Sequence, residues 1–396
     1  MSTYSYDFDK IIDRRNTNCG KWDTIAKKYG RNDLIHLGVA DMDFMSPKPI
    51  LDAFSQVVNH GVFGYTDLND SFYTSIQRWI KKHNGINIPR EWIIFCSRIN
   101  IAAGICINTF TNPNDKVIIN TPAYSPLRNA IIKNNRTVVD SPLIFKNDRY
   151  CIDFKQLESV VDENTKMLIL CNPHNPTCRV WSKEELEQLV IFCLRHHIYL
   201  FVDEIHANLS SKNITHTSML EIKGDIQNYL ICANSITKTF NVPGTIISYM
   251  IIPNKEIRDK IAADIDRIGI HNPNIFSVVA VEAGYNYCDD WLEEACSYID
   301  DNEKMFRSYI SEHMPKFKVM PREGTYLLWI NYENLDVTEK QLEKWFIEEA
   351  NVEVYMGSAF GKDGEGFFRI NLATSRLLLT KALNRMKNAY CNLKSN

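Results

Sequence analysis

A chain of 396 residues, 45% hydrophobic and 23% charged with a formal net charge of −3, has the make-up of a globular enzyme large enough for two domains around one site. The balance leaves no electrostatic footprint for nucleic acid or an anionic membrane, and no apolar run approaches the roughly 20 residues that span a bilayer. The opening Met1–Phe8 lacks a basic region followed by an apolar core, so no secretion signal is expected and a cytoplasmic location is. The eleven cysteines are scattered and include no Cys-x-x-Cys pair, so they read as free thiols and no metal site is expected.

From about residue 92 to residue 253, short apolar runs alternate with helix-like stretches. A strand at Trp92–Cys96 leads into Ser97-Arg98-Ile99-Asn100. Further strands are predicted at Val117–Asn120, Met167–Asn172, Tyr199–Glu204, Tyr229–Ser235 and Ile247–Pro253. Ser182 and Glu185 have the spacing of a capping box, which starts a helix running to about His197. Such alternation predicts a parallel or mostly parallel sheet covered by helices. Beyond about Asn272 the pattern changes. A long helix from Asp289 to about His313 precedes strands at Phe317–Met320 and Tyr326–Tyr332. A helix capped by Thr338 and Gln341 follows, then strands at Val352–Met356 and Gly366–Asn371 and a terminal helix, an order that suits a smaller α+β domain.

Ligands of open α/β sheets collect beyond the carboxyl ends of the strands. Asn172 and Asn175, Asp203, and Ser235 with Lys238 all fall at or just after such ends. Taken singly, each has a structural reading: a solvated lysine, a helix-capping aspartate, polar loop residues. Taken in order, they are the parts of a pyridoxal phosphate (PLP) site. Lys238 would hold the cofactor as a Schiff base and move a proton, with desolvation lowering its pKa. Asp203 would keep the ring nitrogen protonated. Asn175 and His206 could approach the ring oxygen, and the hydroxyls of Ser235 and Thr237 suit a phosphate.

Longer strings carry a resemblance that runs almost end to end. They include Arg14-Arg15-Asn16-Thr17-Asn18 with Lys21-Trp22-Asp23, Val39-Ala40-Asp41-Met42-Asp43-Phe44 and Gly61-Val62-Phe63-Gly64-Tyr65-Thr66. Pro122-Ala123-Tyr124, Cys171-Asn172-Pro173-His174-Asn175-Pro176, Asp203-Glu204-Ile205-His206 and Lys238-Thr239-Phe240-Asn241 follow, with Gly324-Thr325-Tyr326-Leu327 and Gly366-Phe367-Phe368-Arg369-Ile370-Asn371 near the end. The chain resembles fold-type I PLP enzymes of the aminotransferase class I/II superfamily, and within them the MalY/PatB branch of cystathionine β-lyases and cysteine C–S lyases that includes cystalysin. The resemblance implies an α/β fold: a large domain with a mostly parallel seven-stranded sheet between helices, plus a small α+β domain. It divides the chain into a segment 1–50 that joins the small domain, a PLP-binding domain 51–288 and a small domain 289–396. It also implies that Tyr124 stacks on the cofactor ring and takes part in catalysis with Lys238 and Asp203. Arg369, helped by backbone at Val39 and Ala40, would grip the substrate carboxylate. Tyr65 would reach the phosphate of the neighbouring subunit in a homodimer.

Three departures from the family pattern stand out. Ser97-Arg98-Ile99-Asn100 replaces a common Gly-Val-Val-Pro ahead of a helix whose amides cradle phosphate, which makes Arg98 and Ile99 candidates for that role. Ile246 stands eight residues after the lysine, where many superfamily members carry an arginine. Cys178 replaces a turn glycine, with a thiol that either packs or reacts. The leading expectation is a carbon–sulfur β-lyase that releases pyruvate, ammonia and a thiol from cystathionine, cysteine or related substrates. An aminotransferase of an L-amino acid shares the first proton abstraction, and a regulatory or degenerate PLP-binding member is the third reading.

Overall fold

The computed structural model describes residues 4–393. Seven strands form the main sheet: β1 (Ile93–Cys96), β2 (Lys116–Thr121), β3 (Thr137–Pro142), β4 (Thr165–Cys171), β5 (Tyr199–Asp203), β6 (Leu230–Asn234) and β7 (Ser248–Ile251). Their order in space is β1-β7-β6-β5-β4-β2-β3. Strand β7 runs antiparallel to both neighbours, and every other pairing is parallel. This is the mostly parallel sheet of the expected fold.

The central strands are apolar on both faces, and their alternate residues feed two separate cores. Leu168, Leu170, Leu200, Val202 and Leu230 enter one; Met167, Ile169, Phe201 and Ile231 enter the other. Each face is covered by helices, Ile99–Phe110 and Lys255–Arg267 on the second and Lys183–His196 on the first. Period-two alternation with both faces buried is the expected consequence of crossover helices on each side. The strand missing from the sequence reading is β3. It lies at the edge of the sheet, has mostly half-exposed residues and ends in Pro142, so it lacks the apolar run that marks its neighbours.

The second sheet joins Lys318–Val319, Leu327–Asn331, Phe367–Asn371 and Tyr355–Met356 in that spatial order, all antiparallel. The helices Asp289–His313 and Arg376–Tyr390 pack with it. The capping boxes at Ser182/Glu185 and Thr338/Gln341 are both formed. The amino-terminal segment is stitched to this second sheet. Ile35–His36 pairs in parallel with Val352–Glu353, and the Asn371 amide donates to the Leu37 carbonyl at 2.7 Å. Among the described residues no helix is long and apolar enough to cross a membrane.

Candidate active site

The carboxyl ends of β1, β2, β4, β5 and β6 converge on a cavity of about 190 Å³. Its walls include Asn175, Asp203, His206, Ser235, Thr237, Lys238, Tyr124, Ala40, Arg98 and Ile99. Residues predicted one by one from strand ends are therefore neighbours in space.

Lys238 sits on the short helix Ile236–Thr239 directly after β6. Its Nζ donates to the Ala40 carbonyl, which also accepts from the Tyr326 hydroxyl at 2.9 Å. Burial lowers its pKa from 10.5 to about 8, with Arg369 adding to the shift and Asp41 and Asp203 opposing it. Asp203 ends β5 and is buried. Burial raises its carboxyl to about 6, opposed by one hydrogen bond from the Ile205 amide and by the charge of Lys238. His206 is buried with Nδ1 unpartnered and its ring edge-on to Tyr326, 5.7 Å between centroids. Burial, then Lys238 and Arg369, hold the imidazole neutral, far below its usual pKa.

Ser235 caps the lysine helix: its hydroxyl accepts from the Thr237 amide at 3.1 Å and lies 2.8 Å from the Thr237 hydroxyl. Both side chains line the cavity, yet the Ser235 hydroxyl is already engaged, including with the Ile247 carbonyl. Arg98 is the exposed residue that precedes the helix Ile99–Phe110, and Ile99 opens that helix against the cavity. Tyr124 lines the cavity from the start of the helix Ser125–Lys133.

Arg369 lies on the second sheet, fully enclosed. Nη1 donates to Asn175 Oδ1 at 2.8 Å, Nη2 to the Gly38 carbonyl at 2.9 Å, and Nε has no partner. Tyr355 and Phe360 flank the guanidinium at 5.1 and 4.9 Å. Val39 does not face the cavity through its carbonyl, which accepts instead from Asn371 Nδ2 at 2.8 Å. Tyr65 is fully exposed on the 61–69 loop and lies outside its own chain's cavity. Cys178 has φ 62° and no exposure, and burial raises its thiol to about 11, so it packs as a thiol between the Pro176 and Leu327 carbonyls. Ile246 lines the cavity with φ 55°, a conformation rare for a β-branched residue.

Several residues that hold the site had no individual role in the sequence reading. Asn371 Nδ2 binds the carbonyls of Val39 and Asp41, and Asn241 binds the Met42 and Phe44 carbonyls, so both pin the strap 38–44 over the cavity. Asparagine next to a functional motif was the only local signal for either.

A seven-stranded, mostly parallel sheet whose carboxyl edge presents a low-pKa lysine beside a buried aspartate is the arrangement of fold-type I PLP-dependent enzymes. The chain belongs to the aminotransferase class I and II family, whose profile it matches over residues 32–386. It is 33% identical over 384 residues to cystathionine beta-lyase PatB of Bacillus subtilis, covering 97% of this chain and 99% of that protein. Cystalysin from Treponema denticola, solved with PLP, superposes with a TM-score of 0.96 at 32% identity, covering 99% of this chain and 100% of that one. A PLP-bound protein of Clostridium difficile 630, provisionally assigned as an aminotransferase, superposes with a TM-score of 0.95 at 38% identity, with 98% and 100% covered. The cofactor of the family is PLP.

Proposed function

We propose that this enzyme is a PLP-dependent carbon–sulfur β-lyase, converting cystathionine, cysteine or related S-substituted cysteines to pyruvate, ammonia and a thiol. The observation that carries this reading is the near full-length likeness to cystathionine beta-lyase PatB, joined to a cavity with the required groups. The residues fit the cofactor chemically. Asp203 is a buried carboxylate with a single hydrogen-bond donor, and His206 Nδ1 is buried without one, so both have capacity left for a ligand.

When bound, PLP supplies an electron sink for the charge left on the substrate α-carbon. Lys238, with a pKa near neutrality, takes the α-proton. Asp203 would hold a proton on the ring nitrogen, Asn175 and His206 would serve the ring oxygen, and Tyr124 would cover the ring. Thr237, the Arg98 side chain and the amide of Ile99 would serve the phosphate, and Ser235 would join them on releasing the Ile247 carbonyl. Arg369 offers its free N–H groups to the substrate carboxylate, with the backbone of Val39 and Ala40 closing that side. Tyr65, exposed beside Val62 and Phe63, completes the phosphate site of a second copy, so the working unit is a homodimer. Residues 1–50 act with the small domain 289–396, and 51–288 form the PLP-binding domain. A cytoplasmic location belongs to the same reading, and the eleven free thiols support it by suiting a reducing compartment.

The second reading is an aminotransferase, favoured by the likeness to the Clostridium difficile protein. The two part after proton removal: elimination expels the β-thiol, whereas transamination would release the substrate as a keto acid and pass its amino group through the cofactor to an acceptor keto acid. With PLP and L-cystathionine or L-cysteine, pyruvate should form with no keto acid added. Lys238→Ala should lower the rate by about 10³-fold while leaving the fold intact. Turnover that depends on a keto acid would replace the lyase with the transferase.

A further inference from the structure

Glu353 is a buried carboxylate one peptide away from Arg369. It lies on the short strand Val352–Glu353, paired with His36, and its Oε2 accepts from the Gly38 amide at 3.2 Å. The Gly38 carbonyl in turn accepts from Arg369 Nη2 at 2.9 Å. Gly38 thus holds Glu353 through its N–H and Arg369 through its C=O, in two adjacent peptide groups that meet at its Cα. The approach is close: a Cβ at 38 would lie 2.7 and 2.8 Å from the two carboxylate oxygens, so a side chain there would have to displace the carboxylate. Two residues further on, Tyr355 projects from the same strand region and lies over the guanidinium. The other groups near the carboxylate do not ion-pair it tightly. His36 Nδ1 is 4.0 Å away, and Lys21 is committed to Asp43 at 2.8 Å.

A guanidinium has five N–H donors in a fixed fork. Among the described residues, only Asn175 and Gly38 hold the fork of Arg369 by hydrogen bonds, so the angle it presents to a ligand depends on both acceptors staying in place. Asn175 is fixed by the loop after β4. Gly38 has no side chain to anchor it; Asn371 holds the carbonyls on either side of it, and the Glu353 side chain holds its amide.

We propose that Glu353 is a positioning residue for the substrate carboxylate, acting through the placement of Gly38 to set the Arg369 fork. The inference rests on the reading of Arg369 as the carboxylate-binding residue, and it holds whether the reaction is elimination or transamination.

The test uses PLP-loaded enzyme and an α-methyl amino acid, which has no α-proton to lose, so binding is read without turnover. Glu353→Ala should weaken this ligand by about tenfold, or roughly 1.4 kcal/mol, and raise KM in parallel with kcat changed by less than about twofold. Glu353→Gln keeps an oxygen for the Gly38 amide and should restore binding to within about twofold. Gly38→Ala, which displaces the carboxylate, should weaken binding as Glu353→Ala does, and the double variant should be no worse than either single one. Additive losses, or a Glu353→Gln variant as weak as Glu353→Ala, would overturn the coupling through Gly38. Unchanged binding in Glu353→Ala, when Arg369→Lys binds poorly, would overturn the role of Glu353 and leave Arg369 standing. Unchanged binding in both would remove the reading of Arg369 itself.

Discussion

Two buried arginines from neighbouring parts of the second half of the chain have opposite surroundings. Arg322 donates to Glu303, Asp300 and the Thr325 carbonyl, so every face of its fork meets an acceptor and two of the partners are anionic. Burial pulls its pKa down, but Glu303 and Asp300 more than compensate and leave it raised. Arg369 is as deeply buried, meets only a side-chain amide and a carbonyl, and keeps an orphaned Nε; burial leaves its pKa lowered. A buried cation is expensive without an anion. Arg322 is matched by residues of its own chain and serves the scaffold. On the proposed reading, the anion for Arg369 is the substrate carboxylate.

Removing each arginine should therefore give opposite phenotypes. Arg322→Met strands Asp300 and Glu303 and should cost about 3–5 kcal/mol of stability, read as a lower denaturant midpoint, with KM of the folded enzyme unchanged. Arg369→Met should leave stability within about 1 kcal/mol of the parent while raising KM by about 100-fold, the worth of one or two charge-assisted hydrogen bonds. A large stability loss in Arg369→Met would erase the contrast.

Asp203 extends it to an acid. Its folded pKa of about 6 exceeds the ordinary 3.8, so the folded apoprotein holds the proton more tightly than the unfolded chain does. Stability is then lost as pH rises from near 4 through about 6, and the loss persists above that. Asp203→Asn should be inactive, yet its apoprotein should be more stable than the parent by about 1–3 kcal/mol at pH 7, with the gap closing below pH 4. Thermal melts of both apoproteins across pH 3.5–7.5 read this; a gap independent of pH would show that the carboxylate is not the source. The smallest effect concerns backbone. Ile246→Asn places a residue tolerant of positive φ at 55° and should add about 1 kcal/mol, read from the melting temperature of the apoprotein.

Much of this molecule is written locally. The capping boxes at Ser182 and Thr338 lie within single helical turns, and the central strands announce themselves by short apolar runs. Lys238, Asp203 and Asn175 were legible because each follows such a run, and strand ends of one sheet necessarily share an edge. β3 escaped because an edge strand buries little and needs no apolar pattern. The state of Cys178 was open in the sequence, since φ and exposure decide it and neither follows from the neighbouring letters.

The amino-acid sequence by itself determined the alternation of strand and helix, the sheet class and the placing of the lysine, acid and amide at strand ends, because each depends on periodicity or capping within a few residues. Only the tertiary structure decided which acceptors reach Arg369, that a side chain at 38 would meet Glu353, and that Glu353 grips the Gly38 amide. Gly38 and Glu353 are 315 positions apart, and Gly38 and Arg369 are 331 apart. Contacts of that span exist only after the amino-terminal strap docks against the second sheet, where packing brings together groups that no local pattern pairs.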